Sequence, residues 1–418
     1  MRKDSLVRLE QHGIKRIPKG WTQSRVKYLG TYLNGYPFKP DDWGSVGRPI
    51  LRIQDLSSTS SDPNRYDGEL PDRYLIQSGD ILISWSASLG VYRWAGEDAW
   101  LNQHIFKVAV DTTRVLDEFF VWLAEWFIRE MDREVHGSTM QHLTADAFGS
   151  FPVLLPPLNK QAQIAERLMQ ETTRLDALVS AKEEMLELLS EKKRAFRTHV
   201  VTRGLNVQAP SRDSGVHWLG EIPAHWRIER ARWLFSERDE RSTTGEEELL
   251  TVSHLTGVTP RSQKDVTMFE AETTEGYKIC QPGDLVINTL WAWMGAMGIS
   301  PVKGIVSPAY NVYQPGPCLD SKFVDALVRI PIFAEEVTRY SKGVWSSRLR
   351  LYPEGFFEVL LPVPPLSEQR EITSVLAKET MELDGLIVAT ERTILLLKER
   401  RAALVAAAVT GQAEMEEA

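Results

Sequence analysis

Residues 156–168 read Pro-Pro-Leu-Asn-Lys-Gln-Ala-Gln-Ile-Ala-Glu-Arg-Leu, and residues 364–376 read Pro-Pro-Leu-Ser-Glu-Gln-Arg-Glu-Ile-Thr-Ser-Val-Leu. In both places a Pro-Pro pair ends one kind of sequence, and the long segment that follows contains neither Pro nor Trp. Because Pro is excluded from helix interiors, a Pro-free segment that starts after Pro and stops at Gly is typical of a long helix. The sequence therefore predicts two helices, over 159–204 and 367–411.

Apolar residues recur at alternating three- and four-residue steps through both predicted helices, which places them on one seam of each helix. The predicted seam comprises Ile164, Leu168, Leu175, Leu178 and Leu189 in the first helix and Ile372, Leu376, Leu383, Leu386 and Leu397 in the second. A helix with a single apolar seam must bury it, and two equivalent helices most simply bury their seams against each other. We therefore expect an antiparallel coiled-coil pair. The alternative is that both helices pack inside one large domain.

The two helices belong to a larger internal repeat. Ile-Pro-Lys-Gly-Trp at 17–21 matches Ile-Pro-Ala-His-Trp at 222–226, and Gly-Asp-Ile-Leu-Ile at 79–83 matches Gly-Asp-Leu-Val-Ile at 283–287. All these matches, like the two Pro-Pro-Leu segments, are separated by nearly the same number of residues. The chain is therefore one unit of about 200 residues that is present twice.

The part of each repeat that precedes the predicted helix contains short apolar runs separated by Gly, Pro, Asn and Asp, which is typical of strands and turns. Helical stretches follow at 117–130 and 321–340. We predict an α+β fold with two similar globular domains, separated by the two antiparallel coiled-coil helices and related by a pseudo-two-fold axis. The predicted segments are a first domain (1–158), a helix (159–204), a linker (205–218), a second domain (219–366), a second helix (367–411) and an acidic tail (412–418).

Two of the repeated motifs are interpreted as structural. In the Gly-Asp pairs at 79–80 and 283–284, Gly allows an unusual turn angle and Asp can bond the turn backbone. Trp21 and Trp226, which follow Ile-Pro, are predicted to be core residues because aromatic burial dominates core energetics.

Composition excludes several classes of protein. Two cysteines in 418 residues, Cys280 and Cys318, exclude a disulfide scaffold and a cysteine-rich zinc site. The longest apolar runs are shorter than the roughly 20 residues that cross a membrane. Residues 1–7 are charged and contain no apolar segment. We therefore expect no signal peptide and a cytoplasmic location.

No catalytic motif is found. The sequence has no phosphate-binding or dinucleotide-binding glycine motif, no nucleophile elbow and no zinc-protease motif. Its eight histidines do not cluster at metal-ligand spacing. We therefore expect neither a catalytic site nor a metal site in this chain.

Recognition is the remaining function. The segment 339–350 contains four positive charges, no negative charge, and a Tyr and a Trp between them, which suits contact with phosphates and base edges. Its counterpart, 136–142, is rich in side chains that form hydrogen bonds. For any one residue a solvated surface position is the simpler interpretation, but the loops as sets favour DNA. The candidate DNA-binding residues are Lys39, Arg52, Asn102, Gln103, His104, Ser138, Gln141, His254, Asn311, Arg339, Lys342, Arg348 and Arg350.

The sequence resembles the specificity subunits of type I restriction–modification systems, a class of bacterial defence systems. The resemblance is carried by the Ile-Pro-x-x-Trp, Gly-Asp and Pro-Pro-Leu-x-x-Gln motifs of both repeats and by Val-Thr near each helix end. Three further stretches contribute to it: Asn-Gly-Tyr-Pro-Phe-Lys at 34–39, Leu-Arg-Ile-Gln-Asp-Leu at 51–56, and Asp-Ser-Gly-Val-His-Trp-Leu-Gly-Glu-Ile-Pro at 213–223. It covers nearly the whole chain.

The resemblance implies a non-catalytic subunit of a larger complex. Each globular domain would read one half of a bipartite, asymmetric target in double-stranded DNA, and the helices would set the spacer and dock the modification subunits. The implied partners are two modification subunits, which methylate adenine N6, and two restriction subunits, which cleave DNA using ATP. No cofactor is expected in this chain, since S-adenosylmethionine, ATP and Mg²⁺ belong to the partner subunits, and no membrane is involved. The alternative is a coiled-coil scaffold that binds proteins and has no DNA specificity.

The net charge of −8 adds one expectation. Phosphate contacts require local positive charge, and this chain has it only in separate stretches. We therefore expect weak DNA binding by the chain alone, and tight binding when its partners close a positive surface around the duplex.

Overall fold

The computed structural model describes residue 14 and residues 16–57, 63–85, 89–136, 145–263, 273–343 and 349–412. The chain divides into two compact units. The first comprises Met1–Glu183 and Arg392–Ala418, and the second comprises Glu184–Glu391. Among the described helices, none combines the length and the apolar character that crossing a bilayer requires.

Short strands and helices of very unequal length make up both units. The strands of the first unit are β1 (Thr22–Arg25), β2 (Gly30–Asn34), β3 (Arg48–Leu51), β4 (Arg65–Tyr66), β5 (Leu75–Ile76), β6 (Ile81–Ser84), β7 (Gly90–Arg93), β8 (Ala99–Leu101), β9 (Ile105–Val110) and β10 (Pro152–Leu155). Those of the second unit are β11 (Ser211–Asp213), β12 (Glu221–Pro223), β13 (Arg227–Arg230), β14 (Phe235–Glu237), β15 (Leu250–Ser253), β16 (Gly257–Pro260), β17 (Lys278–Cys280), β18 (Leu285–Asn288), β19 (Met297–Ile299), β20 (Gly304–Val306), β21 (Tyr310–Pro315) and β22 (Leu360–Val363). The helices are α1 (Ile53–Ser57), α2 (Asp117–His136), α3 (Ala145–Ser150), α4 (Leu158–Arg203), α5 (Ala231–Leu234), α6 (Ser321–Val328), α7 (Pro331–Arg339), α8 (Pro353–Glu358) and α9 (Leu366–Val409).

The two units repeat one sheet topology. The four-stranded antiparallel sheet of the first unit has the order β2-β9-β6-β7, and that of the second has the order β14-β21-β18-β19, strand for strand the equivalent sequence positions. The antiparallel pairs β1–β10 and β5–β8 of the first unit also recur, as β13–β22 and β17–β20. The predicted α+β class with two similar globular parts is confirmed.

One helix differs between the repeats. The segment after β9 forms the single 20-residue helix α2, whereas the segment after β21 forms two helices, α6 and α7. The break falls at Pro331, the first residue of α7. Pro lacks a backbone N–H and its ring would collide with the preceding helical turn, so one helix ends and another begins there.

Both long helices are present, with 46 residues in α4 and 44 in α9. In the first unit the start of α4 and the end of α9 contribute to one core, where Ile164 lies with Val405. In the second unit the end of α4 and the start of α9 do the same, where Val200 lies with Ile372. Within each unit the two helices therefore run antiparallel, as predicted.

Ion pairs join the two helices within each unit. In the first unit, Arg401 Nε lies 2.9 Å from Asp176 Oδ1, and Lys398 Nζ lies 2.8 Å from Glu183 Oε1. In the second unit, Lys193 contacts Asp384. Lys398 and Glu183 are both more than half exposed, so their pair contributes little free energy, whereas Arg401 and Lys193 are mostly covered.

The buried face of each helix requires a correction of the predicted seam. Leu178 is 51% exposed and Leu386 is 48% exposed, whereas Val179 and Ile394 are buried. A heptad seam assumes 3.5 residues per turn, but a straight helix has 3.6 residues per turn. The buried face therefore drifts around the helix, and a four-residue step from Leu175 reaches Val179 instead of Leu178. Six predicted seam residues are buried and two are half-buried: Ile164, Leu168, Leu175, Ile372, Leu376 and Leu383 in the first group, Leu189 and Leu397 in the second.

A buried glutamine fixes the start of each long helix. Gln161 and Gln369, the last residues of the two Pro-Pro-Leu-x-x-Gln motifs, are fully buried, and in both the amide nitrogen donates two hydrogen bonds while the amide oxygen accepts one. The partners are Arg114 O (3.0 Å), Pro156 O (2.9 Å) and Leu116 N (2.8 Å) for Gln161, and Cys318 O (2.9 Å), Pro364 O (2.9 Å) and Asp320 N (2.8 Å) for Gln369. The motif thus ties the helix to the segment that precedes α2 in one unit and α6 in the other.

The end of each long helix packs against an Ile-Pro-x-x-Trp motif. Gly204, which follows α4, faces Trp226, and Gly411, which follows α9, faces Pro18 and Trp21. Both glycines have positive φ, and a Cβ on Gly411 would overlap Pro18. Trp226 is buried, as predicted, and Trp21 is partly buried against the core of the first unit.

The two Gly-Asp pairs form the predicted turns. Gly79 and Gly283 have φ of 96° and 94°, values that favour glycine. Asp80 accepts a hydrogen bond from the backbone N–H three residues earlier at 2.7 Å, and Asp284 does so at 2.8 Å. Each turn therefore leads directly into the buried strand β6 or β18.

Candidate nucleic-acid interface

Arginines of the first unit lie over aromatic rings. The guanidinium carbon of Arg48 is 4.6 Å from the ring centroid of Trp100, and that of Arg52 is 5.6 Å from Trp43. Trp100 belongs to a cluster of aromatic side chains in this unit. A guanidinium that stacks on a ring is held in one plane, and its N–H groups at the edge can still meet a phosphate or a base.

Two predicted residues lie in this arginine–aromatic region. Lys39 is exposed at the start of a short 3₁₀ helix, and its backbone N–H donates to Asp42 Oδ2 at 2.7 Å. The helix is followed by Trp43, which is 45% exposed. Arg52 is mostly covered, with its Nε 3.6 Å from Asp55 Oδ2. Lys39 is therefore free to contact a ligand, whereas Arg52 already has a carboxylate beside it.

The predicted residues Asn102, Gln103 and His104 lie just before β9, where the ends of β2 and β6 also meet. Gln103 Nε2 and His104 Nε2 are 3.3 Å apart, and the His104 ring lies 5.8 Å from that of Trp85. Trp85 Nε1 donates to Asn34 Oδ1 at 3.2 Å. The structure thus adds Trp85 and Asn34, which the sequence did not single out, to this polar group.

In the basic segment of the second unit, the described residues Lys342 and Arg350 form an antiparallel β-bridge, the basic hairpin. Lys342 and Arg350 face each other, and each backbone N–H donates to the other residue's carbonyl at 2.9 Å. Both residues are exposed. Arg339, on the preceding helix, is exposed but has Glu336 3.3 Å away. Three predicted contact residues, Arg348 of this segment and Ser138 and Gln141 of the first unit, lie outside the described residues.

Asn311 is a correction. It is 7% exposed and its Oδ1 lies 3.4 Å from the ammonium group of buried Lys278, which donates to it. Its neighbours Val312 and Tyr313 are buried as well, so both faces of β21 are covered at this point of the sheet. Asn311 therefore has a structural partner and does not reach a base. Another predicted residue of this unit, His254, is exposed at the tip of the β15–β16 hairpin.

A further loop, which the sequence did not single out, adjoins the basic hairpin. The connection between β18 and β19 has large apolar residues where a turn usually has polar ones, and Leu290 and Trp291 are exposed. Thr289 O, at its start, accepts from the backbone N–H of Leu351 at 3.1 Å, one residue beyond the hairpin. The sequence signal that could have identified this loop is the run of apolar residues directly after a strand.

The base of this connection is fixed by polar groups. Asn288 is buried, and its Nδ2 donates to the Tyr310 hydroxyl at 3.0 Å. Burial raises the pKa of Tyr310, so the hydroxyl stays protonated at neutral pH. Within the described part of the chain, no group of His, Cys, Asp or Glu side chains is arranged to hold a metal ion.

Residues 18–188 match a protein-family model described as the type I restriction modification DNA specificity domain. The chain is 21% identical over 405 residues to the type I restriction enzyme MjaVIII specificity subunit of Methanocaldococcus jannaschii, an alignment that covers 90% of this chain and 89% of that protein. It is 23% identical over 199 residues to the EcoBI specificity subunit of Escherichia coli, which covers 47% of this chain and less than half (42%) of that protein.

Two solved structures share the fold. The HsdS subunit of Thermoanaerobacter tengcongensis has a TM-score of 0.52 at 16% identity, covering 95% of this chain and 98% of that one. A chain from a study of complex assembly and conformational transition of the type I R-M system has a TM-score of 0.63 at 17% identity, covering 95% of this chain and all of that one.

The fold is thus a duplicated one: two α+β parts have one topology, and each includes halves of the two long helices. Residues 18–188 match the DNA specificity domain of type I restriction–modification systems, and the predicted resemblance to their specificity subunits is confirmed.

Proposed function

We propose that this chain is the DNA sequence-recognition subunit of a type I restriction–modification complex. Each globular part reads one half of a bipartite, asymmetric target, and the long helices set the spacer between the halves. One observation carries the proposal: the two units share a sheet order but present different surfaces, arginines over rings in the first and a basic hairpin in the second. Equivalent scaffolds with unlike surfaces suit a target with unlike halves.

In this function the chain contributes recognition and no chemistry of its own. Adenine methylation with S-adenosylmethionine belongs to two modification subunits, and ATP- and Mg²⁺-dependent cleavage belongs to two restriction subunits. The partners also supply much of the phosphate contact, since this chain has a net charge of −8.

The surfaces of the long helices support docking of the modification subunits. Several large apolar side chains of α4 and α9 are about half exposed or more. Exposed apolar side chains of this size are typical of surfaces that a partner protein covers. They are Met169, Leu178, Leu188, Met381, Leu386, Val388, Leu395 and Leu396.

Methylome sequencing of cells with and without this gene, in the presence of the partner methyltransferase, tests the proposal. Loss of one bipartite adenine-methylation motif on deletion is the expected result. Unchanged methylation, together with a purified complex that does not discriminate between DNA sequences, would refute it.

A domain exchange tests the two-reader arrangement separately. Replacing residues 13–158 with the equivalent part of another specificity subunit should change one half of the motif and leave the other half intact. If both halves changed, the assignment of one half-site to each domain would be wrong. Deleting seven residues from one long helix should change the spacer length or abolish assembly, and an unchanged spacer would refute the spacer role.

A further inference from the structure

The connection between β18 and β19 holds two neighbouring apolar side chains in water. Leu290 is 37% exposed and Trp291 is 50% exposed, whereas the next residue, Ala292, is fully buried. Exposing a leucine and an indole side by side forgoes the free energy that their burial would give. Because the chain returns to the core at Ala292, directly after Trp291, the exposure of these two side chains follows from the shape of the loop.

The loop is held rigidly in this shape. The Trp291 N–H donates to Asn288 O at 3.1 Å, and Trp291 O accepts from the backbone N–H groups of Met294 (3.0 Å) and Ala296 (3.1 Å). The indole N–H of Trp293 donates to Leu290 O at 3.1 Å. The short 3₁₀ helix Ala292–Met294 packs on α7. A ligand that meets Leu290 and Trp291 therefore does not have to order the loop first.

Two cations lie on the segment that this loop contacts. The hydrogen bond from Leu351 N to Thr289 O, 3.1 Å long, connects the loop to the hairpin of Lys342 and Arg350. Both cations are exposed, and with the described residues neither forms an ion pair. An apolar tip beside unpaired positive charge matches the order of groups that DNA presents, with phosphates outside and stacked bases inside.

We infer that Leu290 and Trp291 form an apolar wedge that enters a base-pair step of the target, while Lys342 and Arg350 contact the flanking phosphates. This inference rests on the proposed function and adds a mode of reading to it. The indole stacks on a base and opens the step, and the energy of opening depends on the sequence of that step. The wedge thus contributes specificity without a hydrogen bond to a base.

In the first unit the sequence has Ala87 at the position equivalent to Trp291, and the one indole in the connection from β6 to β7 is that of Trp85. Trp85, which begins the connection from β6 to β7, donates its Nε1 hydrogen to Asn34 Oδ1 at 3.2 Å and stacks on Phe106 with ring centroids 5.7 Å apart. Its ring is therefore already in contact with its own domain. The wedge acts only in the half-site that the second unit reads.

The test uses the full chain in complex with its modification subunits and a duplex that contains the target found by methylome sequencing. 2-Aminopurine, whose fluorescence rises on unstacking, is placed in turn at positions of both half-sites. Because a base that stacks on the indole stays quenched, a rise is expected at the other base of the opened step in the second unit's half-site. That position must differ from the methylated adenine, since flipping of that base also raises the signal.

Variants identify the wedge. Trp291→Ala should abolish the fluorescence rise and weaken binding about tenfold or more, because it removes the stacking of one base. Trp291→Phe should keep most of the fluorescence rise and most of the affinity. Trp233→Ala is the matched control, since Trp233 is 75% exposed in the same unit on α5 and should be replaceable without effect.

Salt dependence separates the wedge from the cations. Lys342→Gln and Arg350→Gln should each lower the slope of log affinity against log salt by about one, whereas Trp291→Ala should leave the slope unchanged. Two results have distinct meanings. If the wild-type complex binds its target but shows no fluorescence rise, and Trp291→Ala binds equally well, the wedge is overturned and the proposed function stands. If the wild-type complex does not prefer its target, the proposed function itself fails, and the wedge with it.

Discussion

A single carboxylate holds the turn before the central strand of each repeat, and the cation that meets it comes from a different place in each copy. Asp80 contacts Lys107, a residue of β9, at 2.6 Å. Asp284 contacts Arg238, which follows β14, at 2.7 Å. Both cations reach the same point from neighbouring strands of the same sheet order. The turn therefore requires a positive charge there but does not specify which strand provides it.

Replacing Asp284 with Asn should lower the free energy of unfolding by about 1.5–3 kcal/mol, because the largely covered Arg238 would lose its nearest carboxylate and keep only Glu240, 3.8 Å away. Urea unfolding of the purified protein measures the difference. Glu183→Gln is the control, since the pair of Glu183 with Lys398 is more than half exposed on both sides and should contribute less than about 1 kcal/mol. Equal effects of the two substitutions would contradict this account of Asp284.

Among single residues, the burial or exposure of polar side chains was the feature that the sequence predicted least well. The sequence favoured both Asn311 and Lys342 as contacts to DNA, and the structure buries the first and exposes the second. Asn311 is buried because both faces of β21 are covered there, and its partner Lys278 is 33 residues away in the chain. No local pattern gives such a pairing.

At the scale of elements, the start of each long helix depends on one glutamine that joins three backbone groups from two segments. The Pro-Pro pair and the helix were predictable because they are local patterns. The role of Gln161 was not, since two of its partners, Arg114 and Leu116, lie more than forty residues earlier.

Gln161→Leu should lower the free energy of unfolding by about 2–4 kcal/mol, because the substitution removes the side-chain partner of the Leu116 N–H and of the Arg114 and Pro156 carbonyls. Hydrogen exchange at the Leu116 amide should also become faster. Gln163→Leu serves as the control on the same helical turn, where the side chain is exposed and the expected change is within about 0.5 kcal/mol. Slow exchange at Leu116 in the Gln161 variant would show that the side chain does not hold this segment.

The outer faces of the long helices carry the second element-scale prediction. Leu188→Glu and Leu396→Glu, at equivalent places of the two repeats, should each weaken binding of the modification subunit about tenfold or more while leaving the helix content unchanged. Both side chains are about half exposed, so folding should not suffer. Analytical ultracentrifugation measures the assembly, and circular dichroism measures the helix content.

Ala177→Glu is the matched variant, because it adds the same charge at an exposed position of α4 without removing a large apolar side chain. Assembly that tolerates Ala177→Glu but not Leu188→Glu supports docking on the apolar face. Assembly that tolerates all three would mean that the partners dock elsewhere.

At the scale of the whole molecule, the two repeats exchange helix ends. The end of α4 packs on the Ile-Pro-x-x-Trp motif at 222–226, and the end of α9 packs on the motif at 17–21. Each unit thus combines a globular part with its own helix start and the helix end of the other repeat. Gly411 contacts Pro18, so the end of the last helix lies next to the first Ile-Pro-x-x-Trp motif. We call this contact between the end of the second repeat and the start of the first the closure of the repeats.

A circular permutant tests this closure. Joining Ala418 directly to Met1 uses residues 413–418 and 1–13 as the connection, and the chain is opened between Val207 and Gln208, where Val207 is 76% exposed. The permutant should keep its helix content and its methylation motif. Opening the chain within α4, between Met185 and Leu186, should abolish assembly. A permutant that folds but reads another motif would contradict the closed arrangement.

The sequence by itself determined the duplication, the α+β class, the two long helices and the Gly-Asp turns, because each depends on periodicity or on the conformational preferences of neighbouring residues. Only the tertiary structure decided that Val179 and not Leu178 faces the helix partner, and that Leu290 and Trp291 adjoin Lys342 and Arg350. The physical reason is that burial and proximity depend on how distant segments pack. Two groups 50 residues apart in the chain become one surface only when the sheet and its connections are in place.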